Sequence, residues 1–187
     1  MNIMKRSLLL LGTFLTLFFT ACEGPTGPPG FDGRDGEPGL DGAAFEAAAF
    51  EIDIDFALNT DLNRYEFLFE PYPSDISLRS GDAILIYRLE EIVDGTDVWR
   101  QLPQPFFNDE GLLYYNFDFT QGDYSLFVEP EFDAVRVQSD FVNNQIFRIV
   151  IVPTDFRASA KLDKSNIANV MSTLGLTEKD VTKTLHK

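Results

Sequence analysis

The chain has one cysteine, Cys22, and one histidine, His186, in 187 residues. A single cysteine excludes an intramolecular disulfide. Any folded domain must then hold together through its own core. Cys/His catalysis and ordinary zinc sites need more of these residues than the chain offers. A Ser-His-Asp triad would have to use His186, beside the last residue, where a side chain is hard to hold in place. No glycine-rich phosphate loop occurs. No apolar run reaches the about 20 residues of a comfortable membrane-spanning helix. Only two-carboxylate glycosidase chemistry, which needs nothing but Asp or Glu, stays open to a chain with 30 acids. These shortages set the expectation of a protein that is not an enzyme and uses no cofactor.

Positive charge is also scarce. No lysine occurs between Lys5 and Lys161, and the formal net charge is −15. Residues 45–157 hold 22 acids against seven bases, all seven of them arginine. Such a surface repels phosphate backbones, which excludes nucleic acid as a partner. The pairs Asp53/Asp55, Asp94/Asp97 and Asp109/Glu110 offer hard oxygens to Ca²⁺. None has the spacing of an EF-hand loop, and a solvated acidic face is the plainer meaning.

What is present begins with a secretory signal over residues 1–21. Lys5 and Arg6 precede an apolar run over residues 7–20. Residues 19–22 read Phe, Thr, Ala, Cys. This resembles the lipobox of bacterial lipoproteins, with Phe19 where leucine is more usual. The resemblance implies a diacylglycerol thioether on Cys22 and an acylated Cys22 amine. Several acyl chains, at about 0.8 kcal/mol per buried methylene, anchor firmly. A free thiol near a mature N-terminus and a retained signal anchor are the alternatives.

Directly after Cys22, glycine recurs at every third position: Gly24, Gly27, Gly30, Gly33, Gly36, Gly39 and Gly42. At a background of about 7% glycine, seven fixed positions fill by chance with a probability of roughly 10⁻⁸. This is a collagen-type repeat, in which only glycine fits the crowded axis. Residues 22–44 form the expected stalk, reaching ~60 Å at about 3.1 Å per residue. Two states stay open for it. Three chains would make roughly 18 interchain hydrogen bonds at a net ~1 kcal/mol each. Ordering about 54 residues costs ~1 kcal/mol apiece. A homotrimer therefore needs help from the head, or from chains concentrated on a membrane. The other state is a semi-rigid single-chain spacer.

Residues 45–157 read as one acidic β domain. Phe50, Ile52, Ile54 and Phe56 alternate with Glu51, Asp53 and Asp55, as in a half-buried strand with an acidic outer face. Tyr65, Phe67 and Phe69 repeat the alternation. Residues 83–89 are a more continuous apolar run. Further strands are expected over 98–102, 112–119 and 124–128, at Val135 and Val137, and over 146–152. Seven or eight short strands predict an antiparallel β-sandwich, immunoglobulin-like or jelly-roll-like. Most aromatics fall in phase with the strands and read as core. Trp99, Tyr72, Phe106 and Phe107 lie near prolines and turns and are the candidates for an exposed contact, such as with glycan rings.

The period turns helical in residues 158–187. Ser165 can cap a helix over 166–174, with Gly175 as its stop. Thr177 can start a second helix, with Asp180 completing a capping box and Val181 and Leu185 on one face. Two short helices cannot stand alone in water. They dock on the sandwich, contact a partner, or fray.

Signal, lipobox and immediate Gly-X-Y triplets ahead of a β-rich domain resemble the collagen-like lipoproteins of Gram-negative bacteria, notably of the Bacteroidetes type. The likeness rests on residues 1–42. It implies an outer-membrane lipoprotein of the cell envelope with a structural or interaction role, held to the membrane by the lipid on Cys22. It leaves the head's protein or glycan partner unnamed. A ligand-binding module for glycan or Ca²⁺ is the alternative.

Overall fold

The computed structural model describes residues 47–154, 156 and 163–186. Cys22 and the seven collagen-type glycines lie outside these residues.

The head is mainly β. Among the described residues, ten strands form two five-stranded sheets. The first is built from β1 (Ala48–Ile54), β4 (Ala83–Val93), β5 (Thr96–Gln101), β9 (Gln145–Val152) and β10 (Val181–His186), in the order β10-β1-β9-β4-β5. The second is built from β2 (Ala57–Asn59), β3 (Arg64–Pro71), β6 (Gln104–Asn108), β7 (Gly111–Phe119) and β8 (Asp123–Pro130), in the order β2-β3-β8-β7-β6. Neighbouring strands are antiparallel except β1 and β10, which run parallel.

Alternation in the sequence becomes sidedness in the sheets. Phe50, Ile52 and Ile54 of β1 point into a core shared with Leu113, Tyr115, Leu126 and Val128 of the second sheet. That shared core is what a β-sandwich requires. Each large side chain withdrawn from water contributes about 1.5–3 kcal/mol. β4 and β9 lack clean alternation because both their faces are covered. Ile84, Ile86, Phe147, Ile149 and Ile151 fill the space between the sheets. Leu85, Tyr87, Val150 and Val152 fill a second core on the outer face.

The lid on that outer core is α1 (Ile167–Thr173), whose Val170 and Met171 are buried. The expected helix thus docks on the head. Its cap is Asn166, whose side chain accepts from Asn169 N at 3.2 Å. Ser165, the expected cap, instead donates its hydroxyl to Asp163 at 2.7 Å. Gly175 ends the turn at φ +73°, where a β-carbon is unfavourable.

The second expected helix does not form. Thr177 and Asp180 make the expected capping box, but it closes only a 3₁₀ turn, Glu178–Asp180. The chain then extends as β10 and pairs with β1 from Ala49↔Val181 to Ile54↔His186. The edge of β1 offers six residues a ladder, which outweighs a weak helical preference in Val-Thr-Lys-Thr. Val135 is likewise not in a strand. It sits in a 3₁₀ turn, Ala134–Arg136, because the Asp133 side chain accepts from Val135 N at 3.1 Å and curls the backbone. Val137 follows as the extended residue that closes that turn.

Candidate functional site

Three of the four candidate aromatics are not the exposed platforms that the sequence suggests. Tyr72 is buried against Phe50 and Tyr124, and its hydroxyl donates to Thr120 O at 3.1 Å. Burial, with the charge of Asp123, pushes its phenol well above the ordinary range. Trp99 is half-buried, with the Arg148 guanidinium 4.6 Å from its ring centre. Phe106 is half-buried, its ring 4.9 Å from that of Phe141. Flanking prolines mark where the chain turns, but these rings turn inward at those corners. Phe107 is the exception and stands 76% exposed.

Phe107 belongs to a mouth where β5, an edge of the first sheet, leads into β6, an edge of the second. Glu90, Arg100 and Gln101 form one side, and residues 103–107 form the other. The space measures about 430 Å³. Arg100 pairs with Glu90. Pro103, Pro105, Phe106 and Phe107 supply an apolar wall.

Arg88 stands opposite Arg100 across the β4–β5 pair, and it is only 6% exposed. Its Nε donates to Gln104 Oε1 at 3.2 Å and its Nη1 to Gln145 Oε1 at 3.3 Å. Its guanidinium lies 4.4 Å from the Tyr115 ring centre. None of these partners is a carboxylate. A buried cation without a counter-charge is costly unless something compensates it. Burial pushes the Tyr115 phenol up to about 12, while the positive Arg88 pulls against that rise.

The two glutamines answer Arg88 differently. A guanidinium only donates, so both must turn their oxygens toward it. Gln145 spends its amide donors on Asp140 O at 2.9 Å and Asn143 O at 2.8 Å. Gln104 Nε2 donates to no acceptor among the described residues, and Gln104 lines the mouth. The mouth therefore offers the Gln104 amide and Arg100 as donors, beside the Glu90 carboxylate that pairs with Arg100.

The other arginine buried among the described residues is fully countered. Arg148, 2% exposed, donates its Nε to Glu51 at 2.9 Å and its two terminal nitrogens to Glu178 at 2.7 and 2.8 Å. Lys183 adds a 2.9 Å contact to Glu51. Burial disfavours the charged guanidinium, but Glu178 and Glu51 outweigh it and hold Arg148 above its ordinary range. Glu51 is thus buried rather than part of a solvated acidic face. This cluster binds strands to one another.

A second depression, of about 340 Å³, lies beside Leu68, Phe69, Phe119 and Asp118. Phe69 is 71% exposed because a register shift between Phe67 and Glu70 turns it out of phase. Its φ of 54° is a left-handed conformation that a bulky residue rarely adopts. Among the described residues, no three of His, Cys, Asp and Glu gather to hold a metal ion. Asp53/Asp55, Asp94/Asp97 and Asp109/Glu110 therefore remain pairs.

Sequence reasoning passes over Arg88 and Gln104. A signal is there: a lone charge inside the apolar run of β4. Comparisons with protein-family models, with curated proteins and with solved structures found no match.

Proposed function

We propose that this chain is an envelope lipoprotein of the outer membrane, with a collagen-like segment that carries a β-sandwich head in a structural or interaction role. The single observation behind this reading is the strict Gly-X-Y series over residues 24–42, directly after Cys22 in a lipobox-like setting. The role is display rather than catalysis, a reading supported by the lack of a second cysteine or a centrally placed histidine. Of the two expected topologies, the jelly roll is favoured. β1 pairs with β9 and β3 with β8, so early strands meet late ones in both sheets.

Mass spectrometry of native material tests the anchor. The N-terminal peptide is expected to begin at Cys22 and to carry a diacylglycerol group. A bare sulfur overturns the reading. Light scattering on a Cys22→Ser chain tests trimerisation, which a monomer at every concentration rules out.

The alternative, a ligand-binding head, draws support from the mouth beside Phe107. Its calcium form has no cluster to rest on among the described residues.

A further inference from the structure

We propose that the mouth between β5 and β6 binds a small ligand carrying a carboxylate on a ring or apolar body. Such binding would not depend on how the chain is anchored.

Charge carries the first part. The chain has a net charge of −15, yet Arg88 and Arg100 lie side by side here, and Glu90, which also lines the mouth, has Arg100 as its one ion-pair partner among the described residues. Arg88 keeps a positive charge behind the mouth that no carboxylate among the described residues cancels. An anion in the mouth would cancel it.

Hydrogen bonding carries the second part. Arg88 fixes Gln104 by its oxygen, which leaves the amide donors of this mouth-lining residue without an acceptor among the described residues. A donor hydrogen-bonded through its own carbonyl to a cation is further polarised. Gln104 Nε2 and the outer nitrogens of Arg100 are then suited to the two oxygens of one carboxylate. Arg88 acts through Gln104 as a positioning residue.

Shape carries the third part. The volume of about 430 Å³ falls within the roughly 300–1,000 Å³ of small-molecule sites. Phe106, Phe107 and Pro105 give a wall for a flat or ring-shaped body. An aryl acid and an acidic sugar share this chemistry.

The test is a titration of the full chain, following the side-chain amide of Gln104 and the Nε signals of its arginines by NMR. The probes are phenylacetate, glucuronate, the neutral phenylacetamide and inorganic phosphate, each at millimolar concentration. At least one carboxylate is expected to move the Gln104 and Arg100 signals, and the one that does so identifies the source. Phenylacetamide is expected to leave them in place. No shift with either carboxylate overturns the proposal, as does equal binding of the neutral amide. Phosphate binding as well as the better carboxylate also overturns it, because the site would then read charge alone.

Gln104→Glu supplies the missing counter-charge from within. The variant is expected to melt no lower than the parent and to bind about tenfold more weakly or worse, the scale of one lost charge-assisted contact. Should it fail to fold, the exposed Arg100→Ala is expected to show a loss of the same scale. Unchanged affinity in the variant that folds overturns the proposal.

Discussion

Arg148 and Glu51 face each other across the β9–β1 pair, joined by a 2.9 Å hydrogen bond with 2% and 7% of their side chains exposed. Removing one partner of such a pair strands the other charge, at a cost of about 3–5 kcal/mol. Glu178 still reaches Arg148, so Glu51→Ala is expected near the lower end, about 3 kcal/mol. Urea denaturation measures it. A midpoint unchanged from the parent would show that the pair contributes little to the sheet.

Acid is expected to weaken the same region. Hydrogen bonding to Arg148 holds the Glu178 carboxyl below its ordinary value. Hydrogen bonding to Thr177 does the same for Asp180. A carboxyl depressed on folding contributes stability above its unfolded pKa and loses it as pH falls through the folded value. Melting temperature should therefore decline as pH drops through and below the usual carboxylate range. Glu178→Gln should flatten part of that decline. A parallel decline in parent and variant would exclude Glu178 as a contributor.

Truncation before Thr177 is expected to do more than shorten a tail. It removes β10, the Val181 contact with the outer core, Glu178 and Lys183. It also bares the edge of β1 to strand pairing with other chains. Size-exclusion chromatography and thermal melts should show aggregation and a lower midpoint. A monomer of parental stability would mean that β10 is dispensable.

Phe69 holds a left-handed backbone at φ 54° with its ring 71% exposed. That conformation costs a non-glycine residue roughly 1–2 kcal/mol. Asparagine tolerates it better. Phe69→Asn is expected to gain about 0.5–1 kcal/mol, since the exposed ring forfeits little packing. Chemical denaturation reads the gain, and a loss of stability would mean that the ring packs more than its exposure suggests.

Strand character is legible in the sequence wherever apolar and polar residues alternate, whether or not the polar face is wet. β1 shows it most clearly, with Phe50, Ile52 and Ile54 in phase. β10 reads as a helix for a simple geometric reason. Val181 and Leu185 are four apart, a spacing that puts residues on one face of a helix and also on one face of a strand. The capping box at Thr177 and Asp180 forms where the sequence places it, but a cap does not state how far the helix runs. Only the free edge of β1, a long-range feature, decides between them. The outward turn of Phe69 is not legible, because it depends on the register shift against β8. Arg88 and Arg148 are visible as solitary charges inside apolar runs. Their partners come from strands 16 to 97 positions away, which no local pattern encodes.

Because β10 runs parallel to β1, Val181 lies beside Ala49 and His186 lies beside Ile54. Tension drawn between Ala48 and His186 would pull these two strands lengthwise in opposite directions. All six residue pairs would have to slide together rather than peel apart one after another. The head is thereby wired to bear a mechanical load along the ladder that joins its first strand to its last.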